Sequence, residues 1–110
     1  MHSFTNQIPK SLNLSDLKQS MYVSCAYDQQ WWIGLVDIVN HDVQDVEIVF
    51  LYPHGPARSF AFPQREDRCI IPLKHILCKI KMPSTATGRQ YTIDEDDTTK
   101  IVEAWNNFIE

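Results

Sequence analysis

The stretch "AYDQQWWIGLVDIV", Ala26 to Val39, decides how the chain is read. A short polar turn, Asp28 to Gln30, is followed by two adjacent tryptophans and an apolar, β-branched run. In a strand, neighbouring side chains point to opposite faces of the sheet. Trp31 and Trp32 therefore cannot share a side. The parity of the run places Trp31 with Ile33 and Leu35, which makes it the expected core member. Trp32 then shares its face with Gly34 and Val36 and is expected at the open end of the fold, near Tyr27.

Outward from this hairpin the pattern stays β. "MYVSCAY" (21–27) alternates, with Tyr22, Ser24 and Ala26 on one face and Met21, Val23, Cys25 and Tyr27 on the other. "VEIVFLY" (46–52) puts Val46, Ile48, Phe50 and Tyr52 on one face. "PHGP" (53–56) is a turn by composition. "ARSFAF" (57–62) reads as a fourth strand and "RCIIPL" (68–73) as a fifth. "KHILCKI" (74–80) reads as one helical turn or a last strand. Residues 82–91 have no apolar period and read as a linker or an ordered surface crossing. The period then changes to helical, with Ile101, Trp105 and Phe108 on one side. Thr92 and Glu95 fit a capping box, and the acids Asp94 to Asp97 suit a helix N-terminus, with metal binding a distant alternative. The expected organisation is an N-terminal arm (1–20) whose Leu12, Leu14 and Leu17 dock on the rest, a β domain (21–81), a linker (82–91) and a helix (92–110) packed on that domain. Short strands at this spacing predict an all-β fold, a small barrel or sandwich, closed by one amphipathic helix.

Composition narrows the function. A chain of 110 residues that is 44% apolar can build one core. No run is long enough to cross a membrane, and the first residues lack the pattern of a secretory signal. Three cysteines, Cys25, Cys69 and Cys78, suit a reducing, intracellular setting better than a disulfide framework. No cysteine pair has zinc-ligand spacing, no glycine motif cradles phosphate, and no residues form a nucleophile with an orienting base. The expectation is a non-catalytic protein without cofactor or metal. The net charge of −4 disfavours broad phosphate binding. Arg58, Arg65, Arg68 and Lys74, followed by Lys79 and Lys81, nevertheless fall in one span and are the candidates for a nucleic-acid contact. A third reading makes the helix around Ile101, Trp105 and Phe108 an oligomerisation face.

Aromatic residues are too many for a core of this size alone. Tyr27, Trp32, Phe50 and Tyr52 are expected to gather at a rim, where ring faces can hold a cation. Here "CAYDQQWWIGLV" and "VEIVFLYPHG" resemble the Tudor domain and its SH3-like barrel relatives. The resemblance implies a five-stranded SH3-like barrel, a nuclear setting, and a cage that reads methylated lysine or arginine in chromatin or RNA-related complexes. Three cage positions fall on Tyr27, Trp32 and Phe50. The fourth falls on Pro53, and the asparagine that supports the ligand falls on Gly55. The later segment, "HGPARSFAFPQREDRCIIPLKHILCKI", resembles a module of transposon-related animal proteins. The expected function is binding of a partner peptide through this aromatic rim.

Overall fold

The computed structural model describes residues 12–110. Residues 1–11, the first part of the expected arm, lie outside the described residues. Seven strands and one helix follow: β1 (Tyr22–Tyr27), β2 (Gln30–Asn40), β3 (Asp45–Leu51), β4 (Ser59–Phe60), β5 (Arg68–Pro72), β6 (Ile76–Ile80), β7 (Tyr91–Thr92) and α1 (Glu95–Ile109). Five of them form one antiparallel sheet in the order β5-β3-β2-β1-β6, and β4 pairs with β7 separately. A 3-10 turn, Leu73–His75, leads from β5 into β6, so "KHILCKI" is both the turn and the strand. β5 and β6 are the two edges of the hydrogen-bonded ladder, and the ladder itself does not close into a ring.

The first hairpin has a two-residue turn. Asp28 and Gln29 both take left-handed φ, 51° and 62°. That twist matches the right-handed twist of the strands it joins. It sets the register Cys25↔Trp32 and Ala26↔Trp31. On the next ladder Gly34 faces Phe50, and a bulge at Asp37 shifts the pairing between Val36 and Ile38. The bulge leaves both Asp37 and Ile38 on the outer side while Val39 returns to the inner side, opposite Val46.

Each side of this sheet carries a buried core. The inner core joins Val23, Cys25, Trp32, Ile48, Phe50 and Ile71, and Leu14 and Leu17 of the N-terminal segment dock on it. The outer core joins Tyr22, Trp31, Ile33, Leu51, Phe60 and Ile80 under Ile93, Ile101 and Trp105. Trp31 is core, as its parity requires; Trp32 stands beside Tyr27 as expected but is itself buried, which corrects the expectation of an open ring. Trp31 is 3% exposed and Trp32 is 8% exposed, each in its own core.

Two further expectations change, and one open alternative is resolved. The strand expected over 57–62 is paired only at Ser59–Phe60 and through an isolated bridge of Ala61 to Tyr52, because Pro63 follows and the sheet edge is taken by β5. Of the two readings of 82–91 the ordered crossing holds: Ser84 bridges Thr92, and Tyr91 pairs with Phe60. The helix is capped by Asp94, not Thr92. The Asp97 backbone N–H donates to the Asp94 carboxylate at 2.8 Å, as an N-cap requires.

Asp97 itself is buried and links helix to sheet. The backbone N–H of Lys81, just past β6, donates to the Asp97 carboxylate at 2.9 Å. The Lys81 ammonium meets Asp94 at 2.5 Å. Lys81 thus grips the helix start with both its backbone and its side chain, and α1 lies over β6.

Candidate functional site

Four rings converge where β1, β2 and β3 end. Tyr27 closes β1, Trp32 lies three positions into β2, Phe50 is near the end of β3, and Tyr52 follows β3. The indole of Trp32 stacks on Phe50, with centroids 5.1 Å apart and planes 18° apart. Tyr52 meets Trp32 edge-on at 5.1 Å, and His54 does the same at 5.4 Å. Tyr27 leans on Phe50 at 5.4 Å. The indole N–H of Trp32 donates to the backbone carbonyl of Tyr27 at 3.1 Å. The sheet register does this. Cys25 opposite Trp32 and Gly34 opposite Phe50 bring the same-face rings of three strands to one end.

The four rings are not equivalent. Tyr27 and Tyr52 are 44% and 41% exposed, while Phe50 is 1% exposed. Phe50 is a floor beneath the others, and a ligand cannot touch it. Trp32 offers an edge. The stacked pair leaves no gap for a cation between its planes, since ring faces in contact fill that space. The accessible surface is the two phenol rings, the Trp32 edge and the exposed His54.

Carboxylates frame this surface. The Tyr52 hydroxyl donates to the carboxylate of Asp67. That bond, with some desolvation, pushes the Tyr52 phenol above its ordinary value. Cys69, beside Tyr27, pushes that phenol up, and Asp28 and Asp67 add to the shift. Both phenols are neutral at neutral pH and present ring faces, not anions. Asp67 carries no signal in the sequence, and His54 stands out there only as an imaginable imidazole partner for a thiol, not as a rim residue. Asp67 stands in the "QRED" loop, 15 residues from Tyr52, and nothing local marks it.

Gly55, at the position the resemblance gives to a supporting asparagine, has another task. Its N–H donates to the Trp31 carbonyl at 2.7 Å. A Cβ placed there would sit 2.0 Å from Cε2 of the Trp31 indole. No side chain fits, so this position seals the outer core and cannot support a ligand. Pro53 is exposed and adds no ring to the rim.

The four basic candidates sit in different elements and have different surroundings. Arg68 is clasped by Asp37, by Glu66 at 2.8 Å and by Glu47 at 3.6 Å. Arg58 lies beside Trp31, Pro56 and Glu95, in a groove against α1. Arg65 is exposed in the loop before β5, and Lys74 is exposed in the 3-10 turn after it. Among the described residues no three His, Cys, Asp or Glu side chains are grouped to hold a metal ion. Cys25 is fully buried, and burial pushes its thiol far up. Cys78 shares a hydrogen bond with Ser24 at 3.2 Å. No described helix is long and apolar enough to cross a membrane.

In comparison with protein-family models, with curated proteins and with solved structures, nothing matches this chain.

Proposed function

We propose that the chain is a peptide-binding module of SH3-like, Tudor-like architecture, and that its rim takes a cationic side chain of a partner. The strand order supports the architecture. Four strands meander, a 3-10 turn follows, and the last strand returns to pair with the first. The observation that carries the function is the pairing of two exposed phenol rings with an adjacent carboxylate. Tyr27 and Tyr52 flank the Trp32 edge, and Asp67 is bonded to the Tyr52 hydroxyl. Ring faces and a carboxylate favour the same ligand, a cation, each ring contributing about 0.5–2 kcal/mol. A methylated lysine or arginine suits such a surface. The same charges disfavour a phosphate backbone, because Arg68, one of the basic candidates, is already held by three carboxylates.

The test is a titration with matched unmodified and methylated lysine and arginine peptides, followed by NMR. The expected result is a shift of the Trp32 indole N–H that is larger for methylated peptides. Tyr52→Ala should weaken binding about 3- to 30-fold, the range one ring interaction supplies. Tyr27→Ala should do the same. An indole resonance that stays still at saturating peptide removes the rim as a binding site.

A second reading rests on α1. Phe108 and Ile109 are 40% and 57% exposed at its end, beside the half-buried Trp105. That end is a candidate contact for oligomerisation, and mass that rises with concentration is its signature.

A further inference from the structure

The outer face of the sheet is covered on one side only. Over β1 and β6 lies α1. Over β2, β3 and β5 lie two rows of side chains, the first partly buried and the second largely exposed. Leu35, Val49 and Arg68 form one row, and Ile38, Glu47 and Ile70 form the next. Phe62 and Pro63 fold against the first row and leave a groove of about 420 Å³. Its floor is apolar: Leu35, Val49, Phe62 and Pro63. Its lip is charged: Asp37, Glu66 and Arg68. Beyond the lip Ile38 and Ile70 are 43% and 57% exposed, a high value for two isoleucines that flank a carboxylate.

Charge selects the occupant. The Arg68 guanidinium faces Asp37, Glu66 and Glu47 together. One positive charge against three negative leaves an excess of negative charge on a half-exposed apolar groove. A further cation is favoured there. A phosphate backbone is repelled, and so is a second copy of a chain whose own net charge is −4.

We propose that this groove takes an extended basic segment of a partner protein, one in which lysine or arginine alternates with aliphatic residues. Alternate side chains of an extended segment point opposite ways. The aliphatic ones enter between Phe62 and Val49, and the cations reach the carboxylates at the lip. The site is separate from the aromatic rim and does not rest on it. Glu66 turns to Arg68 on this face, while its neighbour Asp67 takes the Tyr52 hydroxyl.

The test uses the whole chain and two synthetic eight-residue peptides, one alternating lysine with leucine and one alternating glutamate with leucine, followed by methyl NMR. The lysine peptide should shift the methyl groups of Leu35, Val49, Ile38 and Ile70, and the glutamate peptide should leave them still. Glu66→Lys, at an exposed position, should weaken the lysine peptide at least about fivefold by placing like charges together. Tyr52→Ala should leave that affinity within about twofold, since the Tyr52 ring turns to Trp32 on the other face of the sheet and does not line the groove. Several results overturn the proposal. They are no methyl shift at millimolar lysine peptide, equal shifts with both peptides, shifts confined to Trp32 and the two tyrosines, and the same methyl shifts on concentrating the protein alone. The same methyl shifts caused by a single-stranded oligonucleotide also overturn it. Failure of the rim is read separately, from the Trp32 indole with methylated peptides.

Discussion

Trp31 and Trp32 are neighbours in sequence and end in two different cores. Trp31 is sealed from outside. Gly55 presses its backbone against the indole, Phe60 lies 6.2 Å away, and α1 with Ile93 borders it. Trp32 is surrounded by other rings, with two exposed phenols beside it. The difference shows how a small sheet can bury both of its faces. The inner face is filled by residues of the same meander and by Leu14 and Leu17. The outer face is filled by segments that arrive late in the chain, β4, Ile93 and α1. The inner side leaves a rim at its end, and the outer side leaves its β2–β3–β5 half open.

The largest effect that would break this comparison is on the sealed side. Trp31→Ala should lower stability by about 3–5 kcal/mol, the usual cost of deleting a buried aromatic ring. Urea unfolding measures it. A loss as small as that of an exposed tyrosine would mean that the outer core is not a core. Against a total of about 5–15 kcal/mol this one change endangers the fold.

Two glycines sharpen it at the next level. A Cβ on Gly55 would meet the Trp31 indole at 2.0 Å, and a Cβ on Gly34 would meet Cγ2 of Ile48 at 2.0 Å. Each alanine should cost about 1–3 kcal/mol by overpacking. Their near-UV signatures should differ. Gly55→Ala should disturb Trp31 by direct contact, while Gly34→Ala acts on an aliphatic neighbour in the core of Trp32.

The smallest effect concerns acid. Hydrogen bonding to Arg68, then to Gln19, holds the Asp37 carboxyl below its ordinary value. Lys81, then the Asp97 backbone N–H, does the same for Asp94. A carboxyl whose folded value is depressed stabilises the fold above its unfolded value, near about 4. That contribution is lost as pH falls through the folded value. The urea midpoint should therefore drop below about pH 4, where unfolded carboxyls take up protons first. Arg68→Met should flatten the part of the drop due to the open half, and Lys81→Met the part due to the helix start. Curves that stay superimposed on the parent's would show that neither ion pair carries weight.

Much of the fold was legible because alternation is local. β1, β2 and β3 follow from side-chain parity, and so does the burial of Trp31 with Ile33. The meeting of Tyr27, Trp32, Phe50 and Tyr52 follows from the same parity once the strands are paired. Their differing exposure does not. Trp32 is buried because Tyr52 and His54 close over it from beyond β3, and Phe50 because Trp32 and Tyr27 lean on it. Asp97 looked like an ordinary complement to the helix dipole. Its real partner is a backbone N–H 16 residues earlier, for which the sequence has no sign. Arg68 looked like a free cation although Glu66 stands two residues before it, because the partner that completes the clasp, Asp37, is 31 residues away. In each case the missing term is a tertiary contact, not a propensity.

The grip of Lys81 on the start of α1 has a consequence for anyone wishing to trim the chain. By composition, residues 82–91 invite a cut, and everything before them would seem a finished unit. Yet the strand that ends at Ile80 is tied through Lys81 to Asp94 and Asp97. Without the last residues, Tyr22, Trp31 and Ile80 would form a sticky face in place of a covered one. The smallest piece worth expressing therefore runs through the final helix, and a fragment that stops at the apparent linker is a recipe for precipitate.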